Sequence, residues 1–233
     1  MKRKIINVGE LTWLLAIVLC SLSVCLSANS GFGVSMIVAP AYILYLKIVT
    51  LLPWFTFGMA EYCLQGMLLL VCCMVMKRFK WKYLLSFGTA ILYGLCLDFW
   101  RLVFGSAIYD ILWLRFFSCV AGMIIGSFSI ALFLRSYLPQ EAYELLVKEL
   151  SIKTGANMHK VKWIYDISSL GAAILLMFLF FHQFSFEMIG IGTLIVTLLN
   201  TPLIAFWGRL IDRYASLNSA FPKFYQKYEE LMD

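Results

Sequence analysis

Apolar stretches long enough to cross roughly 30 Å of hydrocarbon as helices fall at residues 11–33, 58–76, 83–103, 112–134, 163–181 and 187–208. A shorter helix-like piece separates the first from the second (residues 40–52) and the fourth from the fifth (residues 139–153). The second piece, PQEAYELLVKELSIK, is too polar to cross a bilayer. The first is more apolar but is expected to behave alike, lying at the interface or dipping in as a re-entrant element. Tyr143, Leu146, Val147 and Leu150 recur at helical spacing opposite Glu144, Lys148 and Glu149, so the second piece reads as a helix on the cytoplasmic surface. The pattern predicts an all-α polytopic membrane protein of about six transmembrane helices. A seven-span arrangement, with residues 34–53 crossing fully, is the alternative.

The order of landmarks repeats. Trp13-Leu14 returns as Trp113-Leu114, and Ala41-Tyr42-x-Leu44-x-x-Lys47 returns as Ala142-Tyr143-x-Leu145-x-x-Lys148. Glu61 and Gly66 return as Asp166 and Gly171, Gly88-Thr89 as Gly192-Thr193, and Trp100-Arg101-Leu102 as Gly208-Arg209-Leu210. Residues 11–103 and 111–210 thus read as two three-helix repeats, each with an extra interfacial or re-entrant helix. Three crossings is an odd number, so the second repeat enters from the opposite side and the topology is inverted. Residues 1–233 form a single membrane domain on this reading, with 211–233 a cytoplasmic amphipathic tail carrying Tyr214, Phe221, Phe224, Tyr225 and Tyr228 among charges.

Composition agrees: 62% of residues are hydrophobic and 14% charged, against roughly 25% charged in a soluble domain. All seven cysteines lie in apolar runs without metal-ligand spacing and read as small packing residues, so no metal or cofactor is expected. The net charge of +6 is spread over loops beside spans, which suits topology and anionic lipid rather than nucleic acid. With six spans and the N-terminus inside, every Lys and Arg except Lys47, Arg101 and Arg115 falls on the cytoplasmic side. Met1-Lys2-Arg3-Lys4 before an apolar run resembles a secretory signal, but cleavage would remove the start of the repeat, so the segment is expected to stay as the first span.

Ionisable groups inside spans are expensive and point to function. Glu61 sits one turn into the second span from its outer end and Asp166 takes the equivalent place from the inner end, so inversion sets two carboxylates symmetrically about the midplane. Each suits a cation, a cationic substrate or a proton; each also suits a helix start paired with a neighbouring base. Asp98 and Arg101, one turn apart, with Arg115 on the next span, suit an outer gate or a structural ion pair. GFGVSMIVAPAY (31–42) and GIGTLIVTLLNTP (190–202) mix Gly, Ser, Thr, Asn and Pro into apolar helix, as discontinuous helices do. Asn200, Thr193 and Thr89 are the expected polar lining of a pathway, and Thr201 lies beside Asn200.

HExxH, GxSxG and a phosphate-binding Gly-Lys-Ser/Thr loop are all missing, and His159 and His182 fall on opposite sides, so an enzyme is not expected. The APAY string after a Gly-rich span end, the LPQEAYELLVKELSIKTG connector and the closing GIGTLIVTLLNTPLI resemble the YczE/YitT-like family of bacterial integral membrane proteins. The resemblance covers most of residues 11–210; it implies a multi-pass protein of the bacterial cytoplasmic (inner) membrane and brings no substrate or catalytic residues. Repeat architecture points to a small secondary transporter or permease-like protein working by alternating access on an unknown small molecule or ion. The alternative is a membrane scaffold or regulator acting through its cytoplasmic connector and tail. Membrane lipid is the expected partner in either case, nucleic acid is not, and a homo-oligomer is compatible with both.

Overall fold

Six helices of the chain are long and apolar enough to cross a membrane. The computed structural model describes residues 4–7, 9–77 and 79–218. The long helices are α1 (Gly9–Ser30), α3 (Phe57–Met76), α4 (Trp81–Phe104), α5 (Leu112–Phe133), α7 (Met158–Phe181) and α8 (Ile191–Tyr214). Two short ones, α2 (Ala39–Ile48) and α6 (Ala142–Thr154), follow α1 and α5. The order long, short, long, long therefore occurs twice. Two four-residue strands, β1 (Lys4–Asn7) and β2 (Ala215–Asn218), pair in parallel beyond α1 and α8 and mark one face of the molecule, here the terminal face. Lys2, Arg3, Arg78, Lys223, Lys227 and the tail from Ser219 to Asp233 lie outside the described residues; Ile211–Asn218 form the end of α8 and β2.

At the centre α1 and α5 cross antiparallel. Ser118 Oγ donates to the Leu26 carbonyl (2.8 Å) and Ser129 Oγ to that of Ala16 (2.9 Å), while Gly122 and Gly126 face Ser23 and Ser27. In lipid, apolar burial gives no drive to pair helices, so small residues and interhelical hydrogen bonds of on the order of 0.6 kcal/mol each hold such a crossing. α4 runs beside α1, with Trp100 Nε1 donating to the Val18 carbonyl and Asn29 Nδ2 to that of Gly105. α8 runs beside α5, where Arg135 grips Asp212 with two nitrogens at 2.8 and 2.5 Å. Outward, Leu70, Met74, Leu102, Trp113, Leu175 and Leu198 are all more than half exposed, while Glu61, Gln65, Ser86 and Thr193 are fully buried. That inversion of polarity fits a hydrocarbon solvent.

The short helices are re-entrant. The chain leaves α5 at the terminal face, where Tyr137 donates to Glu10, and then turns inward. The Pro139 carbonyl accepts from Trp13 and Thr89, and that of Gln140 from Ser86. Ala142 N donates to Gln65, near the middle of α3, and α6 climbs back until Glu149 meets Lys82 and Lys153 meets the Val75 carbonyl. α2 does the same from the distal face. The Met36 carbonyl accepts from Ser169, midway along α7, and α2 returns to place Tyr45 beside Arg101 at the distal end of α4. Ten residues make α2 about 15 Å long, too short to cross, which removes the seven-span alternative.

The surface placement expected of the second connector is corrected too. Ala142, Tyr143, Leu145, Leu146, Val147 and Glu149 are buried, because the polar groups of α6 find partners inside the protein. Glu144 pairs with Lys162 (2.8 Å), and Glu149 takes Lys82, Lys80 and the Tyr83 hydroxyl. Burial pushes the Glu149 carboxyl up, but Lys82 and Lys80 outweigh it and hold it below the usual range.

Where α3 crosses α4, Gly58 lies against Gly94; a Cβ on Gly94 would stand 2.8 Å from the Gly58 carbonyl oxygen, and one on Gly58 would strike the Gly94 carbonyl and Asp98. Gly58→Ala is expected to cost about 1–3 kcal/mol, read as a fall in the melting temperature of the detergent-solubilised protein. An unchanged Tm would mean that α3 and α4 do not approach this closely. Glu149→Gln should also destabilise, by about 3 kcal/mol near neutral pH. A depressed folded-state pKa stabilises above the ordinary carboxylate range and ceases to as pH falls through it. The gap between native and Glu149→Gln melting temperatures should therefore close on acidification; a gap independent of pH would refute the pairing.

Candidate functional site

A cavity of about 120 Å³ lies among α1, α5, α7 and α8, with the lead-ins of both half-helices in its wall. The lead-in to α2 supplies Val34–Val38, and the lead-in to α6 supplies Gln140 and Glu141. The first is unwound because Gly31 and Gly33 adopt φ of +63° and +96°, a region L side chains rarely enter. Gly33 also lets the loop lie against Thr193 and Gly190, where a Cβ would collide. The loop is stitched to α8 by Gly192 N donating to the Phe32 carbonyl (2.9 Å). The second Gly-rich region, 190–202, is not unwound: it is the start of α8, and Pro202 sits within that helix.

Among the expected pathway residues, Asp166 and Asn200 line the cavity, and so does Thr201. Asp166 Oδ1 is buried without a hydrogen-bond partner. Glu61 is fully buried and outside the lining. The Tyr143 hydroxyl donates to its Oε2 at 2.9 Å, leaving Oε1 without a partner. Thr89 and Thr193 are outside the lining as well: each sits at the root of the other repeat's re-entrant lead-in, Thr89 on Pro139 and Thr193 against Gly33 and Gly190. Glu141, which spacing alone did not single out, stands in the wall at the N-cap of α6. It is 8% exposed; its Oε2 accepts from Gln65 (3.5 Å) and its Oε1 has no partner. It precedes the Ala-Tyr pair of the repeat, where the first half has Pro40, so no symmetry drew attention to it. Among the described residues no group of His, Cys, Asp and Glu is placed to hold a metal ion.

Asp98, Arg101 and Arg115 do not form an ion pair with one another. Asp98 accepts from Gly58 N (2.8 Å) and Thr56 Oγ1 (2.6 Å) at the start of α3. Arg115 donates to the Ser30 and Gly31 carbonyls (2.7 and 2.9 Å) at the end of α1. Arg101 donates to the Ser106 carbonyl beyond α4 and lies over the Tyr45 and Phe57 rings. Helix ends leave backbone groups unsatisfied, and the dipole draws acid to N-termini and base to C-termini; at this face that demand outbids pairing.

The two halves are unequal around the cavity. α3 packs along α4, whereas their repeat partners α7 and α8 make at most sparse contact with each other. Lys162 and Asp166 of α7 and Val196, Thr197, Asn200 and Thr201 of α8 face the space between. Glu61 is sealed by Tyr143, while Tyr42, the counterpart of Tyr143, stacks among Phe57 and Tyr45 (centroids 5.1 and 6.3 Å).

These features define a multi-pass α-helical membrane protein with an internal, carboxylate-bearing cavity between its halves. Residues 8–209 match the model of a family described as a family of unknown function, DUF6198, and the chain belongs to that family. No curated protein and no solved structure matches it.

Tyr143→Phe strips Glu61 of its described hydroxyl donor and should cost about 1–3 kcal/mol, seen as a lowered Tm. Tyr42→Phe, which keeps its ring contacts, should cost less. Equal losses would show that the Tyr143 hydroxyl does not seal Glu61.

Proposed function

We propose that this protein moves a small solute across a bacterial cytoplasmic membrane by alternating access, with the cavity as its solute site. The observation that carries this reading is the broken symmetry: equivalent helix pairs are closed in one half (α3–α4) and apart in the other (α7–α8) around the re-entrant elements. Exchanging the two arrangements would expose Glu61 and cover Asp166, opening the site from the opposite side. Packed elements with two discrete arrangements are what such rocking requires.

Orientation follows from charge. Lys80, Lys82, Arg135 and Lys153 cluster at the terminal face, so both chain ends are cytoplasmic on this reading. A scaffold working through α6 has less to recommend it, since Glu144 and Glu149 are spent on internal pairs.

The test is flux. Purified protein in vesicles, challenged with a panel of radiolabelled small ammonium, carboxylate and neutral solutes and alkali cations, should give saturable uptake for at least one class. Asp166→Asn should slow it about ten-fold or more while leaving Tm within about 2 °C of native. Absence of saturable flux for every solute class would contradict the reading.

A further inference from the structure

Charge around the cavity is one-sided. Three carboxylates and one base line it: Glu141, Glu144, Asp166 and Lys162. Lys162 bonds Glu144 at 2.8 Å and also lies within electrostatic reach of Asp166, so one base serves three carboxylates. Glu141 and Asp166 each keep an oxygen that is buried and has no hydrogen-bond partner. Glu141 is only 8% exposed, so bulk water does not serve its carboxylate, and beyond Gln65 the donor beside it is the Cys20 thiol, a weak one. A charge so placed calls for a partner that arrives with opposite sign.

An anion is opposed twice. It would face both carboxylates, and the half-helix N-termini that could otherwise welcome it are partly used. At α2, the Val38 and Ala39 N–H groups donate to the Ser35 carbonyl and Pro40 has no N–H. At α6, Ala142 N donates to Gln65.

A bare metal ion is a poor fit as well. The wall between the carboxylates is largely apolar, with Val24, Met36, Met123, Phe133 and Val196 in it, and it offers no cluster of metal ligands among the described residues. The volume, about 120 Å³, is a little under the ~150 Å³ apolar cavity that holds one benzene molecule. An ammonium group on a short carbon chain satisfies charge, size and wall together.

Resting on the transport reading above for its physiological sense, but not for its chemistry, we propose that the cavity binds a small primary organic ammonium ion, with Glu141 and Asp166 as its counter-charges. Its alkyl part lies along the apolar wall, and its N–H groups donate to oxygens of the lining carboxylates that the fold leaves without donors. Gln65, anchored by Ala142 N and donating to Glu141 Oε2, holds that carboxylate in place.

The test is equilibrium binding to the full-length, detergent-purified protein, by calorimetry or thermal shift, with three probes of nearly one shape: butylammonium, butanol and butyrate. Butylammonium should bind and raise Tm, and the other two should bind at least about ten-fold more weakly. This comparison needs no variant. Glu141→Gln and Asp166→Asn should each weaken butylammonium about ten-fold or more, with Glu141→Asp retaining most of the affinity. Butyrate or butanol binding as well as butylammonium, no butylammonium binding, or binding indifferent to both substitutions would each overturn the proposal. Vesicle flux separates it from the reading beneath: butylammonium binding without flux upholds the ligand class and removes transport, whereas flux of a carboxylate without butylammonium binding removes the ligand class alone.

Discussion

A chain immersed in hydrocarbon has no water to satisfy its polar groups, so every backbone N–H and carbonyl at depth must be bonded within the protein. Two stretches of this chain begin a helix at that depth, and the rest of the structure is arranged around satisfying them. Ser86, Thr89 and Trp13 serve the carbonyls leading into α6; Ser169 and Gly192 serve those leading into α2. Each half-helix docks on the other repeat, α6 on α3 and α2 on α7, so neither half can meet the constraint alone. Three of these five donors, Ser86, Thr89 and Ser169, are small hydroxyl residues, which also allow the close helix approach that brings them within reach.

The lead-in carbonyls of Phe32, Met36, Pro139 and Gln140 are served, whereas several buried side chains are not. Glu61, Glu141 and Asp166 each keep an oxygen without a partner. A structure this attentive to carbonyls does not leave carboxylates bare by neglect, since an unmet buried charge costs far more than an unmet neutral group. Strain of this kind gathers at functional sites. Its distribution is uneven: Tyr143 covers the carboxylate in the closed half, while the carboxylate of the open half borders the cavity. On the proposed reading, broken symmetry and bare oxygens describe one feature, a site held in one of two arrangements.

Much of the scaffold was legible in the chain because hydrocarbon thickness imposes length and the repeat imposes order. The expected spans and the observed helices agree closely for α3, α4 and α5. α8 runs past the expected end at 208 to Tyr214, since Asp212 is anchored by Arg135 and keeps the polar last turn helical. The polar connector was legible as a helix but not as a buried one: amphipathicity shows that two faces differ, while the partners Lys82 and Lys162 come from distant segments. Spacing likewise joined Asp98 to Arg101, whereas helix ends claimed both. Glu141 escaped notice because it precedes its helix, outside any apolar run, and only the inward turn at Pro139 carries it to membrane depth.

The central claim is that α3–α4 and α7–α8 exchange roles. Repeat-equivalent pairs of exposed positions, Cys63 with Leu95 and Ser168 with Leu199, allow a direct measurement by pulsed electron–electron spectroscopy on spin labels placed in a background lacking the other cysteines. Two populations are expected for each pair, with the 168–199 distance shortening as the 63–95 distance lengthens when pH or ligand is changed. A single unchanging distance for both pairs across those conditions would contradict the account.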